Sequence, residues 1–483
     1  MLFNSVPFLL FFPAVLLVHF ILPHRVRYVW LLAASYYFYM CWNPVYALLM
    51  LTSTAITYLS GLLISRVRNR AKLWVALSFI SNLGILFFFK YYSFAVESVV
   101  GLLSRFGVTW QAPAFDVLLP VGISFYTFQA LSYTMDVYRG QVEPEKNFLR
   151  YALFVSFFPQ LVAGPIERSS NLLSQLKEKR PFDPEKFKSG ALLMLWGYFQ
   201  KMVIADRAAL VADMVYGYYP AYSGWVLAVA TLLFAVQIYC DFGGYSAIAI
   251  GAARILGVEL MQNFRQPYFA RSVSEFWRRW HISLSTWFRD YLYIPLGGNR
   301  KGTLRKYLNL MITFVLSGLW HGANWTYVMW GALNGAFQII GDAKGRLLKK
   351  WVRRETFGLK FFQRLCTFAL ICLTWVFFRA QSIADAFAIL ASMFSVNNLW
   401  IFTDGTLLSL GLSTLEWVVL AGSIGVLWAV DIAHEHGVSL GAKLAQQPIV
   451  FRWLTYVCVI VFILLFGVYG VGFDAGQFIY FQF

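Results

Sequence analysis

Residues 307–340 read YLNLMITFVLSGLWHGANWTYVMWGALNGAFQII, two apolar runs separated by the polar, flexible segment 321–324. The first run, 307–320, would cover only roughly 20 Å as an α-helix, against a hydrocarbon core of about 30 Å. The stretch therefore predicts a broken membrane helix with His321 at or near membrane depth. Irregular backbone at that depth must be buried in protein or line a cavity, so His321 is either a functional residue or a structural histidine bonded to a neighbouring helix.

Apolar runs of similar length repeat along the whole chain. Of its 483 residues, 59% are hydrophobic and 13% are charged, and 18 Trp and 27 Tyr suit many membrane interfaces. We expect one all-α polytopic membrane domain, residues 1–483, with about 11–13 membrane helices. The candidate spans are 4–23, 28–43, 45–64, 73–95, 115–135, 190–216, 222–250, 306–320, 325–341, 364–379, 386–402, 407–430 and 450–472, and 151–163 predicts a shorter, partly inserted helix.

The net charge of +17 lies in short loops between these spans, at 24–27, 65–72, 176–188, 300–306 and 344–364. This distribution indicates cytoplasmic loops facing anionic lipid rather than a nucleic-acid surface. Residues 3–23 lack a basic leader and a cleavage site, which favours a retained first helix. The five Cys form no CxxC pair, so neither a zinc site nor a disulfide framework is indicated.

The segment 263–300 differs from the spans because arginines interrupt its aromatic residues. Its aromatic residues recur at helical spacing, which favours an amphipathic helix at the membrane interface or a re-entrant helix. A plain membrane-surface anchor is the alternative. His281 lies in this segment and could orient an acceptor or assist proton transfer, unless packing alone holds it.

Other polar groups offer weaker candidates. Asp241 lies inside a long apolar run and needs a partner, which we expect to be a nearby arginine in a structural ion pair. His434 and His436 form an isolated HxH pair, which is a weak metal signal, and we expect no metal. The chain contains no phosphate loop, G-x-S-x-G elbow or HExxH motif, so soluble hydrolase classes find no support.

Seven motifs occur in order between residues 120 and 379. They are PVGISFY (120–126), AGPI (163–166), DFGGYS (241–246), SEFWRRWHISLSTWFRDYL (274–292), PLGGNR (295–300), GLWHGANW (318–325) and WVFFR (375–379). This series resembles the bacterial membrane-bound O-acyltransferases (MBOAT), and most of all their alginate O-acetyltransferase branch.

The resemblance implies an MBOAT-type helical bundle with a central funnel, in a multi-pass protein of the bacterial inner membrane. It implies His321 as the essential catalytic histidine and His281 as its companion. Acetyl-CoA is the implied donor, with no cofactor bound. The implied acceptor is an extracytoplasmic polysaccharide such as alginate, reached with a partner protein.

In this interpretation neutral His321 deprotonates the accepting hydroxyl, which then attacks the thioester. Asn324 or Trp325 could stabilise the oxyanion. The other candidate substrate-binding residues are Trp277, Arg278, Arg279, Trp280, Asp241, Arg289 and Asp290. D-alanyl transfer to teichoic acid from an acylated carrier protein is one alternative, a lipid or protein acyltransferase of the same family is another, and a non-catalytic export component is a third.

Overall fold

A computed structural model describes residues 1–110, 119–162, 164–348 and 356–469 of the chain. Four predicted features extend outside these residues: the start of span 115–135, Ala163 of AGPI, part of the 344–364 basic stretch, and the end of span 450–472. The α-helices of the first half are α1 (Val6–Ile21), α2 (His24–Met40), α3 (Pro44–Arg66), α4 (Ala71–Leu86), α5 (Tyr92–Ser104), α6 (Ile123–Arg139), α7 (Phe148–Ser156), α8 (Phe158–Leu161), α9 (Ser169–Lys177), α10 (Pro184–Tyr198) and α11 (Asp206–Gly217).

The second half is also helical. Its α-helices are α12 (Trp225–Ile255), α13 (Val273–Arg279), α14 (Ile282–Phe288), α15 (Thr303–His321), α16 (Trp325–Leu348), α17 (Phe357–Arg379), α18 (Ile383–Ser395), α19 (Thr414–Glu435), α20 (Leu440–Ala445) and α21 (Ile449–Phe466). Three π-helical segments, Phe87–Tyr91, Phe199–Ala205 and Arg289–Tyr293, continue α4 into α5, α10 into α11, and α14 toward the next loop.

Within the described residues, six helical stretches are long and apolar enough to cross a membrane. They are Pro44–Arg66, Arg68–Ser104, Trp225–Ile255, Phe357–Arg379, Thr414–Glu435 and Ile449–Phe466. Two shorter apolar helices, α1 and α18, accompany them. The prediction of an all-α polytopic membrane protein is confirmed.

Helix α12 lies at the centre of the bundle, since 72% of its most apolar stretch is buried, against 6% for α21. Its glycines make a close antiparallel contact with α10: Gly251 faces Gly190, and Gly244 faces Gly197. A Cβ on any of the four would lie 2.5–2.7 Å from the carbonyl oxygen opposite. Small residues thus let the two backbones approach closely, as membrane helices often do.

Span 386–402 and the segment 263–300 differ from their predicted forms. Span 386–402 is interrupted, because α18 ends at Ser395 and a separate 3₁₀ turn covers Leu399–Phe402. The single helix expected within 263–300 is instead two seven-residue helices, α13 and α14, separated by Trp280 and His281. Their aromatic residues pack inside the protein.

The predicted broken helix at 307–340 is a hairpin. Helix α15 begins at Thr303, earlier than the apolar run, so its 19 residues extend about 28 Å. Gly318 packs on the backbone of Tyr327, and Gly331 packs on the backbone of Phe314, so α15 and α16 run antiparallel. The chain therefore reverses direction after His321 instead of continuing across the membrane.

Gly331→Ala is expected to destabilise the protein by about 1–3 kcal/mol, because the new methyl group must separate α15 from α16. Gly341 lies on the same helix, and a Cβ added there would have no atom within 4 Å. Gly341→Ala is the matched control and is expected to be neutral or slightly stabilising. Thermal unfolding in detergent measures both variants, and equal melting temperatures would contradict the close contact.

Candidate active site

His321 is the last residue of α15, and only 4% of it is exposed. Its ring meets Trp330 of α16 at a centroid distance of 5.0 Å and Phe378 of α17 at 5.5 Å, both edge to face. Aromatic side chains from two other helices therefore enclose the imidazole. Such an enclosure fixes the orientation of the ring, as a catalytic group requires.

The backbone around His321 is capped by a neighbouring helix. The last carbonyl groups of a helix have no partner inside it. Lys90 Nζ donates to the carbonyl oxygens of Trp320 (2.8 Å) and His321 (3.2 Å), and the Tyr91 hydroxyl donates to that of Leu319 (3.0 Å). A cation is also favourable at the negative end of a helix dipole.

Lys90 and Tyr91 belong to the π-helical segment Phe87–Tyr91, a geometry often found at functional sites. They act through the backbone of α15, so they are positioning residues. Neither was among the predicted site residues. The available signal was a lone lysine inside the apolar span 73–95, since an ionisable group in a span usually has a specific partner.

His281 is fully buried between α13 and α14, with a backbone φ of 43°. This left-handed conformation is rare for residues other than glycine and costs roughly 1–3 kcal/mol. Its Nδ1 lies 3.1 Å from Asn263 Oδ1, which also accepts from the Ser283 hydroxyl at 2.9 Å. Because Oδ1 is an acceptor, Nδ1 carries the proton of the neutral ring and Nε2 is the accepting nitrogen.

The two histidine rings lie close together, with centroids 6.4 Å apart. The structure thus brings together two residues that are 40 positions apart in the sequence, as the predicted pairing requires. Asn263, which fixes the tautomer of His281, was not among the predicted site residues. An amide oxygen of this kind has no sequence signature of its own.

A cavity of about 650 Å³ lies near this pair, although neither histidine belongs to its lining. We call it the inner cavity. Four residues of α15, at positions 306, 310, 313 and 317, line it along one helical face over roughly 16 Å. Its far end lies at Ser317, one turn before His321, and at Ile282, next to His281. The basic side chains on its wall are Arg278, Arg289 and Lys306.

Two further cavities lie beyond His321. A small one of about 60 Å³ touches His321 itself and is also lined by Lys90 and Ser124. A wider one of about 830 Å³, the outer cavity, is lined by Asn324, Trp325 and the α5 residues around Glu97. Since the inner cavity follows α15 from its start, His321 lies between openings at the two ends of this helix.

Comparison of the sequence with known proteins shows which family this chain resembles. Residues 145–380 match the model of the MBOAT, membrane-bound O-acyltransferase family. The probable alginate O-acetylase AlgI of Azotobacter vinelandii is 40% identical over 439 residues, which cover 87% of this chain and 84% of that protein. The chain belongs to the membrane-bound O-acyltransferase family. It is an O-acyltransferase, and the family prediction is confirmed.

Two other relatives of this O-acyltransferase show the range of the family. The peptidoglycan O-acetyltransferase of Helicobacter pylori is 36% identical over 434 residues, covering 82% of this chain and 80% of the relative. The teichoic acid D-alanyltransferase of Streptococcus thermophilus is 26% identical over 252 residues, covering 49% of this chain and 58% of the relative.

Three of the predicted substrate-binding residues line the inner cavity of the acyltransferase. Trp277 is mostly buried and donates from Nε1 to Asn334 Oδ1 at 3.1 Å. Arg278 is exposed, and no ion pair to it occurs among the described residues. Arg289 pairs with its neighbour Asp290 at 2.7 Å. These positions can contact a ligand in the cavity.

Two neighbours of those residues have a different role. Arg279 donates to Glu275 and Glu435, both at 2.6 Å, and so ties α13 to α19. Trp280 is 1% exposed and packs on Phe276 and Trp375. Neither lines a described cavity, and their observed contacts are structural; their predicted role in substrate binding stays a prediction.

Asp241 is also structural, and its expected partner is wrong. The cation beside it is Lys201, whose Nζ lies 2.6 Å from Asp241 Oδ1 and 2.7 Å from Asp206 Oδ1. A lysine fits because it enters from the π-helical segment Phe199–Ala205, which packs directly on α12. This ion triad lines none of the described cavities.

The remaining predicted residues lie at the edges of the site. Asp290 accepts from Arg168 at 3.0 Å and lines a separate cavity. The side-chain amide of Asn324 donates to the Gln381 carbonyl at 3.2 Å, and Trp325 Nε1 donates to Ser98 at 3.1 Å. These bonds hold both side chains in the lining of the outer cavity, and their predicted role in stabilising an oxyanion stays a prediction.

The HxH pair stands apart from this site. The described residues contain no group of three or more His, Cys, Asp or Glu side chains that could hold a metal ion. Around His434 and His436, Asp431 accepts from the Tyr239 hydroxyl at 3.0 Å, and Glu435 is paired with Arg279. The acidic neighbours of the histidines thus have structural partners.

Proposed function

We propose that this acyltransferase moves an acetyl group from cytoplasmic acetyl-CoA to a hydroxyl group on the other side of the inner membrane. The acceptor is a cell-surface polysaccharide, alginate-like or related, or a partner protein that passes the group on. The observation that carries this proposal is the position of His321 between the inner and outer cavities, within 6.4 Å of the ring of His281.

The inner cavity suits a phosphorylated thioester. Its lining includes Arg278, Arg289 and Lys306. Lys306 pairs with Asp342, which also lines the cavity, and Arg289 pairs with Asp290, so Arg278 is the lining cation with no ion pair among the described residues. Its deeper wall includes Trp277 and Phe314, which are apolar enough for the arm that carries a thioester. Basic groups favour phosphates, and a donor that reaches Ser317 would bring its acyl group within one helical turn of His321. The basic loop at 300–306 orients the Lys306 end of the cavity toward the cytoplasm by the positive-inside rule.

The outer cavity suits a sugar. Trp325 is 54% exposed and can stack on a pyranose ring, while Gln381 offers a side-chain amide. Relatives of this chain are described as an alginate O-acetylase and as a peptidoglycan O-acetyltransferase, and both names specify a polysaccharide acceptor. An acceptor in this cavity approaches His321 from the side opposite to the donor.

The proposed step is a direct acyl transfer. A nitrogen of His321 removes the proton of the accepting hydroxyl, and the oxygen attacks the carbonyl carbon of the thioester. The C–O bond forms, the C–S bond breaks, and the departing thiolate takes the proton from the imidazolium. His281, which is held by Asn263, orients His321 or relays the proton that His321 takes from the hydroxyl.

Arg278→Gln is expected to raise the KM for acetyl-CoA about tenfold with little change in kcat. The substitution removes a charged contact to phosphate far from the reacting carbon, which is binding energy shared by ground state and transition state. The measurement is thiol release from acetyl-CoA by the purified protein. Arg300→Gln, an exposed arginine outside the cavity lining, is the control, and an equal rise in its KM would contradict a specific donor contact.

The same assay tests the donor. Thiol release from acetyl-CoA supports acetyl transfer, whereas release only from an acylated carrier protein would replace it with the D-alanyl transfer named for the Streptococcus relative. That relative matches less than half of this chain, whereas the alginate-related match covers 87% of it. We therefore favour acetyl-CoA.

A further inference from the structure

A second, smaller cavity lies where α1 ends and α2 begins, and it shares no lining residue with the inner cavity. Its volume is about 250 Å³. Its polar lining comes from the α1–α2 corner and from the loops near α7, α9 and α10: His19, His24, Arg25, Arg27, Tyr28, Arg150, Gln175, Glu178 and Arg180. We call it the corner cavity. The proposed acyl transfer makes no use of it.

The corner cavity has an excess of positive charge. Four arginines and two histidines line it, against the single carboxylate of Glu178. Arg180 pairs with Glu178 at 2.6 Å, and Arg150 lies 3.3 Å from Glu145. In the part of the chain that the structure describes, Arg25 and Arg27 have no carboxylate within 4.0 Å. Two positive charges therefore face the cavity without a counterion from the protein.

Arg27 is held rigidly by backbone rather than by acids. Its Nε donates to the Leu22 carbonyl at 2.9 Å, and its Nη1 donates to the Arg180 carbonyl at 2.7 Å. These bonds tie the α1–α2 corner to the loop before α10. A guanidinium fixed in this way is already oriented for an anion, so little side-chain entropy is lost on binding.

His19 provides independent evidence for a ligand. It is only 5% exposed and lines the cavity, yet its Nδ1 makes no hydrogen bond to any described residue. Buried polar atoms are almost always paired, because an unpaired one loses its hydration without compensation. A ligand with several oxygen atoms would satisfy this nitrogen and could also contact the two guanidinium groups that have no carboxylate partner.

We propose that the corner cavity binds a phosphate group. Phosphate offers acceptor oxygens to His19 and a negative charge to Arg25 and Arg27, which have no carboxylate partner. The cavity is smaller than typical cofactor pockets, which suits a headgroup. The phosphate comes from an acidic phospholipid or from a soluble phosphate.

The test measures binding to the full-length protein in a neutral detergent, by thermal shift and by titration of intrinsic fluorescence. The probes are dioctanoyl phosphatidic acid, inorganic phosphate and, as a neutral reference, dioctanoyl phosphatidylcholine. Arg25→Gln removes an exposed charge that the fold does not need, and it is expected to weaken binding about tenfold. His19→Leu removes the buried nitrogen, and Arg70→Gln is the control on another basic loop.

A lipid headgroup is supported if the wild type binds phosphatidic acid more strongly than phosphate. Both cavity variants should then bind phosphatidic acid more weakly, and the control variant should bind it as the wild type does. The same pattern with inorganic phosphate as the better probe supports a soluble ligand. If neither anion binds the wild type, or if Arg70→Gln weakens binding as much as Arg25→Gln, the proposal is overturned. Acetyl-CoA turnover does not enter these outcomes, so failure of the proposed function leaves them unaffected.

Discussion

Replacing His321 with Gln is expected to lower O-acetylation of the cell-surface polymer by about a hundred- to ten-thousandfold, the usual contribution of a general base. Glutamine keeps a polar group of similar size between Trp330 and Phe378, so the aromatic enclosure stays filled. It cannot take a proton from the acceptor. The measurement is the O-acetyl content of extracellular polysaccharide, in cells that express wild type and variant at equal levels.

His321→Ala should give the same loss, with added instability from the space it leaves. His436→Gln is the control, because His436 is an exposed histidine at the end of α19 and lines no described cavity. Undiminished acetylation in both His321 variants would remove the catalytic role and leave the chain as an export component. His281→Asn keeps a residue type that tolerates positive φ, and it should retain measurable activity if His281 only positions the proton.

Much of the fold followed from span length and composition. Helix α3 was predicted within two residues at each end, because a long apolar run with a Pro start and a basic end leaves little choice. The interruption at 396–398 within span 386–402 was missed, since apolar residues continue on both sides of it. Hydropathy reports how apolar a segment is but does not report where the backbone turns.

The candidate site was predictable only in part. His321 and His281 stood out as rare ionisable residues beside apolar runs, and the structure brings their rings together. The roles of their neighbours depend on which face each side chain presents. Arg278 and Arg279 are adjacent in sequence, yet one lines the inner cavity and the other pairs with two glutamates. One position of helical rotation separates a side chain that lines the cavity from one held in ion pairs.

Contacts between segments that are far apart in the chain could not be predicted from the sequence. Lys90 reaches carbonyl oxygens about 230 positions away, and Lys201 reaches a carboxylate 40 positions away on α12. Both lysines lie on π-helical segments, whose extra residue per turn redirects side chains relative to a regular helix. A pattern with a period of 3.6 residues cannot anticipate that change of direction.

Lys201→Met is expected to destabilise the protein by about 3–5 kcal/mol, because it leaves the carboxylates of Asp206 and Asp241 buried without their cation. Lys201, Asp206 and Asp241 have only 2–4% of their side chains exposed. Methionine fits the space of the lysine stem, so the loss measures charge rather than packing. The measurements are the melting temperature in detergent and the fraction of protein that stays monodisperse.

Lys188→Met is the matched control, since Lys188 lies on α10 and is 4.0 Å from the exposed Glu185. Surface pairs of this kind contribute less than about 1 kcal/mol. Adding Asp206→Asn and Asp241→Asn to Lys201→Met removes the uncompensated charges and should recover part of the lost stability. If Lys201→Met unfolds at the same temperature as Lys188→Met, the triad does not hold α10, α11 and α12 together, and their close glycine contacts must be sufficient.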